Sequence, residues 1–253
     1  MNLPVLNIAA YRFVTLTDLP ALRDHLRGVA ASRRLKGTVL LAEEGINLFL
    51  AGEPDAVREW LAVLTEDARF AGIEVKESLS DTQPFQRLKV KIKREIIRMD
   101  HPTIRPEGAR APAVDATTLA RWLDAGHDDA GRPVKLLDTR NAFEVDRGAF
   151  EGAIDWSLNK FTEFPQQLAQ HLDELRDVTV VSYCTGGIRC EKAALLMREQ
   201  GLEQVYQLDG GILKYFETVG PTHYRGGCFV FDEREVLDAG LAPVAAGPGH
   251  LSE

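Results

Sequence analysis

The chain has 253 residues, enough for one large domain or two ordinary ones, and is 45% apolar and 27% charged, the composition of a water-soluble globular protein. No run of eighteen apolar residues occurs, which argues against a membrane span. The start, MNLPVLNIAAYRF, lacks the basic, apolar and small-residue order of a secretory signal. Three cysteines are too few and too oddly numbered for a disulfide framework, so a reducing, cytoplasmic setting is expected. The net charge of −8 argues against nonspecific nucleic-acid binding. It hides a basic island, however. Residues 84–112 hold eight Lys/Arg against three Asp/Glu, a net of +5, which leaves −13 for the remainder. Such an island can steer an anionic partner locally.

In chain order, VLNIAAYRFV reads as a strand. DLPALRDHLRGVAASRR has helical spacing, with Asp18 as its cap. LKGTVLLA and INLFLAG read as strands joined at Glu43, Glu44 and Gly45. EPDAVREWLAVLTED is a helix with Pro54 at its start. GIEVKES and RLKVKIKREII close the series as strands. The order βαββαβ plus a final strand predicts a ferredoxin-like α+β domain over 1–100. HPTIRPEGARAPAVD, with three prolines, reads as a linker over 101–115. Strands then alternate with helices. ATTLARWLDAG, EFPQQLAQHLDEL and EKAALLMREQG are helical; VKLLDTR, VTVVSYC and QVYQLDGGI carry strands. This predicts a doubly wound parallel sheet over 116–222. A C-terminal extension over 223–253 ends in an Ala/Gly/Pro-rich tail from Leu241 that is expected to be disordered.

VTVVSYC stops at Cys184, and Thr185, Gly186, Gly187, Ile188 and Arg189 follow before a helix begins near Cys190. Glycines let the backbone curl so that amide N–H groups converge on an anion, and the helix N-terminus adds its positive end. A thiol at the centre of such a ring is expected to ionise easily. Arg189 would add a fixed positive charge at the rim. Tyrosine phosphatases use a similar cradle with five residues between cysteine and arginine. Here there are four, a tighter ring that suits a single sulfur better than a phosphoryl group. Cys190 could resolve an oxidised or persulfidated Cys184, or could simply pack. No cysteine pair has zinc-site spacing, so no metal is expected.

RLKVKIKREII alternates strictly. Leu88, Val90 and Ile92 are expected to face a core, and Arg87, Lys89, Lys91 and Lys93 to share the other face, with Arg94 beyond. Side chains two apart on a strand are about 7 Å apart, near the phosphate spacing of a single nucleic-acid strand. The row could therefore grip RNA, or it could be an edge strand whose lysines prevent aggregation.

CTGGIR resembles the active loop of rhodanese domains. LLDTRNAFEVDRGAFEGAID resembles that family's upstream segment, with Asp138, Arg140, Glu144, Gly148, Gly152 and Ala153 at the matching places. The resemblance implies that Asp138 and Arg140 brace the loop, directly or as a scaffold ion pair. GTVLLAEEGINLFLAG, CTGGIRCEKA and FVFDER, in this order, are similar to a rhodanese subgroup with an extra N-terminal domain, the oxygen-dependent tRNA uridine hydroxylases. That likeness spans residues 5 to about 236. It implies conversion of the wobble uridine to 5-hydroxyuridine, with Cys184 essential, the anticodon loop of tRNA as partner and dioxygen as co-substrate, and no bound cofactor. The chain stops soon after FVFDER, without the cysteine-rich segment into which many members continue, and lacks their "P-x-E-W-N" segment after the linker. The loop alone is equally compatible with a sulfurtransferase that carries sulfane sulfur as a Cys184 persulfide. An RNA-binding module with a vestigial rhodanese fold is a third reading. Oligomeric state is not legible in the sequence.

Overall fold

A computed structural model of the chain describes residues 4–244. The first sheet collects β1 (Val5–Phe13), β2 (Lys36–Ala42), β3 (Gly45–Gly52), β4 (Val75–Ser80) and β5 (Leu88–Ile92) in the order β4-β1-β3-β2-β5. Four strands are antiparallel neighbours, and β5 is added at the edge, parallel to β2. Helices α1 (Leu19–Ser32) and α2 (Pro54–Glu66) cover one face. The strands alternate, so Leu6, Ile8, Val39, Leu41, Leu48 and Leu50 meet Leu22, Leu26, Val57 and Trp60 in a closed core. The ferredoxin-like expectation holds.

Three local expectations change. Asp18 sits at the α1 cap position but makes no cap bond; its carboxylate is taken by Arg69 at 2.5 Å. The last strand ends at Ile92, not at Ile97. Ile92 is itself 36% exposed, because α1 covers only the first part of this edge strand; Leu88 and Val90 alone reach the core.

Residues 101–115 form a strap. Ile104 and Ala111 are buried in the second domain's core, so the segment is tied down rather than loose. The second sheet is wholly parallel: β6 (Ala113–Val114), β7 (Val134–Asp138), β9 (Ile154–Asp155), β10 (Thr179–Tyr183) and β11 (Val205–Leu208), in the order β6-β11-β10-β7-β9. A short β8 (Gly148–Phe150) lies outside it. Helices α3 (Ala116–Ala125) and α7 (Gly211–Val219) pack on one face. Helices α5 (Phe164–His171) and α6 (Ile188–Glu199) pack on the other. A one-turn helix, α4 (Ala142–Val145), follows β7. Both faces are covered, so β10 can be buried at every residue.

The C-terminal extension is folded well past residue 223. β12 (Tyr224–Gly226) pairs with β8, and β13 (Cys228–Phe229) pairs with β14 (Val236–Leu237). Even Val244 donates its N–H to Val236 O at 2.9 Å. The expected disorder of the Ala/Gly/Pro tail therefore fails for 241–244, and for 245–253 it lies outside the described residues.

Candidate active site

The apolar run of β10 ends in the sheet centre, and the chain must turn there before α6 can start. Gly187, at φ 105°, makes the turn, a conformation costly for any residue with a side chain. The curl brings the Gly187 N–H to 3.2 Å from Cys184 Sγ. The amides of Arg189 and Cys190 also favour the charged sulfur. Burial, the largest influence, pushes the thiol up. The neighbouring Cys190 thiol, the Arg189 charge and these amides together outweigh it, and Cys184 is held well below the ordinary cysteine range. Cys190 Sγ lies 2.9 Å from Gly187 O, so its one proton has two acceptors, that carbonyl and the Cys184 sulfur. Its own pKa is pushed up by burial and by Cys184. Cys228 is pushed up to about 12 by burial. Cys184 is thus the one thiol of the three set to ionise.

Arg189 does not stand at the rim. It is 5% exposed and clasped by Glu144, with Nη1 and Nη2 at 2.5 and 2.7 Å from the carboxylate oxygens. Burial of an arginine requires such a partner. Its charge reaches Cys184 through space and is partly cancelled. Asp138 and Arg140 form a second closed pair, Nη2 to Oδ2 at 2.6 Å, with neither side chain exposed. Arg140 also donates to Gly148 O at 2.7 Å, which fixes β8 to the end of β7. The pair touches no substrate space; it holds the sheet edge beside the loop.

Residues distant in sequence complete the site. The α7 start is laid against the loop: Ile212 and Leu213 donate their N–H groups to the carbonyls of Cys184 and Thr185, at 3.0 and 3.2 Å. The approach is possible because residue 211 is glycine. A Cβ there would lie 2.5 Å from Cys184 O. From the first domain, Tyr11 reaches over the loop and donates to Glu191 Oε2 at 3.0 Å. Lys192 crosses the other way to Glu44 and Glu95, each at 2.7 Å. The sequence offered two signals for these contacts, the Gly210-Gly211 pair before an apolar stretch and the CTGGIRCEKA stretch that contains Lys192; no local pattern marks Tyr11.

The helix-free face of the first sheet closes over the cysteine loop and leaves a cavity of about 460 Å³ between the domains. Cys184, Thr185 and Gly186 lie on one side; Tyr11, Asn47 and Phe49 lie on the other. The sulfur-bearing residue is itself fully buried, so it forms the floor. The basic strand stands at one margin. Thr38 and Lys89 are register partners, as are Leu40 and Lys91, which puts both lysines on the cavity side of the sheet. Arg87 and Lys89 line a second cavity of about 480 Å³. Arg94 is paired with Asp100.

Residues 5–96 match the UPF0176 acylphosphatase-like domain and residues 115–218 the rhodanese-like domain. Over 242 residues, 96% of this chain, it is 64% identical to the tRNA uridine(34) hydroxylase of Variovorax paradoxus, covering 92% of that protein. The same identity and span relate it to the tRNA uridine(34) hydroxylase of Bordetella petrii, covering 96% of it. That of Delftia acidovorans is 63% identical over 238 residues, 94% of this chain and 90% of that protein. The chain belongs to the tRNA uridine(34) hydroxylase family. Within it, two of the three signature stretches take on a physical role. LAEEGIN supplies Glu44, and CTGGIRCEKA supplies Glu191 and Lys192, which join the two domains around the cavity; Asn47, from the same first stretch, donates to Ile96 O at 3.2 Å within the first domain.

Proposed function

We propose that this chain hydroxylates uridine 34 of tRNA to 5-hydroxyuridine, with the anticodon loop as substrate and Cys184 as the reactive thiolate, in the cytoplasm. The observation that carries the reading is 64% identity across 96% of the chain to named tRNA uridine(34) hydroxylases. An easily ionised sulfur on the floor of an interdomain cavity supports the role of Cys184. Such a thiolate can add to C6 of a uracil ring and place the electron pair on C5. C5 then bonds to an oxygen electrophile at the peroxide level, formed when dioxygen takes two electrons and two protons from an external reductant such as a thiol. Water leaves with the second oxygen atom. Loss of the C5 proton and of the sulfur restores the ring. The Gly187 amide, which donates to the Cys184 sulfur, and Tyr11, which donates to Glu191 beside the loop, are the groups that would hold the loop in place.

The test is the tRNA nucleoside profile of a deletion strain carrying wild-type protein or Cys184→Ala. Wild type alone should restore 5-hydroxyuridine and its derivatives. Unchanged nucleosides on deletion, with loss of sulfur transfer from thiosulfate to cyanide, would replace this reading by the sulfurtransferase one.

A further inference from the structure

The Cys184 cavity is lined by Phe231, which packs against Phe143, and the core absorbs neither ring. Phe143, on α4, is 47% exposed and Phe231, between β13 and β14, is 49% exposed. They arrive from segments far apart in sequence, yet their ring centroids are 6.4 Å apart. Both also stand edge-on to Phe229, at 5.2 Å. Phe231 belongs to two walls at once. It lines the Cys184 cavity and also the second cavity, which Arg87 and Lys89 line as well. The Arg189 guanidinium lies 5.9 Å from the Phe231 ring centre, so the ring is held by Arg189, Phe143 and Phe229 while about half of the residue stays exposed.

The charges around this edge are unevenly matched. Asp232 is neutralised by Arg234 at 2.6 Å. Arg94 and Arg98 both pair with Asp100. Among the described residues no carboxylate pairs with Arg87, Lys89, Lys91 or Lys93. Glu233 and Glu235 line the second cavity together with Arg87 and Lys89, and the Glu233 N–H donates to Pro84 O at 3.1 Å, so a polyanion there would be drawn to the cations and repelled by these two carboxylates. Exposed aromatic rings beside an unpaired row of cations fit a single-stranded nucleic acid: bases stack on the rings, and phosphates follow the cations. A protein partner would leave that row of like charges uncompensated unless it were itself acidic.

We infer that the Phe143–Phe231 edge and the Arg87–Lys89 end of β5 form a docking surface for single-stranded RNA. One base enters the Cys184 cavity, a neighbouring base stacks on Phe231 backed by Phe143, and the flanking phosphates run along Arg87 and Lys89. This rests on the tRNA substrate proposed above and states how the loop is held open around the target base.

The experiment measures binding of the full chain to an anticodon stem-loop RNA across a salt series, for Phe231→Ala, Phe231→Leu, Phe231→Tyr and R87A/K89A. Nucleosides from complemented cells are profiled in parallel. Phe231→Ala and Phe231→Leu should each bind about tenfold more weakly, within the range of one base–aromatic stack. Phe231→Tyr should bind within about twofold of wild type, since the ring face is kept. R87A/K89A should lower the slope of log affinity against log salt by about 1.4, about 0.7 per lost single-strand phosphate contact. Phe231→Leu binding as wild type, or an unchanged salt slope, overturns the surface, and the patch would then be open to an acidic protein. These binding results stand apart from the hydroxylation reading. If wild type fails to restore 5-hydroxyuridine, that reading fails while the stacking and salt data still decide the surface.

Discussion

Lys192 and Glu44 lie in different domains and meet at 2.7 Å, with Lys192 only 2% exposed. Glu95 joins them at 2.7 Å and Ile97 O at 2.9 Å. Lys192 is on the first turns of the helix that starts at the cysteine loop. The ammonium group therefore couples the loop's helix to the roof of the cavity.

Lys192→Met should cost about 3–5 kcal/mol in urea unfolding, because the Glu44 carboxylate is left buried without its counter-charge and Glu95 keeps only the exposed Arg94, at 3.8 Å. The loss should depend on pH with a definite sign. Burial already raises the Glu44 carboxyl, against the pull of Lys192, and the variant removes that pull. A raised carboxyl pKa destabilises the fold only as pH climbs from the ordinary carboxylate value through the raised one. The gap between Lys192→Met and wild type should thus narrow as pH falls into the range where Glu44 takes up its proton. A gap that is constant with pH would mean the carboxylates are not the cause.

Thiolate absorbance against pH should show one thiol ionising well below the ordinary cysteine range, and Cys184→Ala should remove that step. Cys190→Ala should move it to higher pH without abolishing it, since the Cys190 thiol helps to hold the charge. The depressed value also favours the fold above the ordinary cysteine pKa, and this contribution disappears as pH drops through the lowered one. A step unmoved by Cys190→Ala would leave Cys190 as a packing residue only.

Much of this was legible from residue order, for a physical reason. A buried parallel strand must read as a continuous apolar run, so VTVVSYC and the glycines after it placed the cysteine loop without a structure. The βαββαβ order likewise set the first domain. What was hidden depends on partners far apart in the chain. Arg189 looked like a rim charge because its partner, Glu144, is 45 residues away. Ile92 looked like core because period-two alternation says nothing about where α1 ends its cover. No strand was assigned to the extension after residue 223, because its strands are two or three residues long, shorter than any periodicity can register.

Gly211→Ala should impair the site although residue 211 takes no part in the chemistry. At φ +67° an alanine is strained, and its Cβ would press on Cys184 O at 2.5 Å and Gly187 N at 2.9 Å. The loop must move, and the Gly187 amide moves with it. Expected are a cost of about 1–3 kcal/mol from the strained backbone and a Cys184 titration shifted to higher pH. Gly201→Ala, also at positive φ but with open space around it, should cost stability without shifting the titration.

The Arg189–Glu144 pair makes opposite predictions for its two members. The Arg189 charge lowers the Cys184 pKa, and Glu144, bound to both guanidinium nitrogens, cancels part of that field. Glu144→Gln keeps hydrogen-bonding capacity and removes the cancelling charge, so Cys184 should ionise at still lower pH. Arg189→Gln should raise the Cys184 pKa, because the burial that opposes ionisation remains and its main ionic counterweight is gone. Both variants leave one buried charge alone and should lose about 3–5 kcal/mol of stability. Equal losses of stability with opposite shifts of one thiol are what an electrostatic role requires. Shifts of the same sign would instead mean that both variants act by loosening the loop.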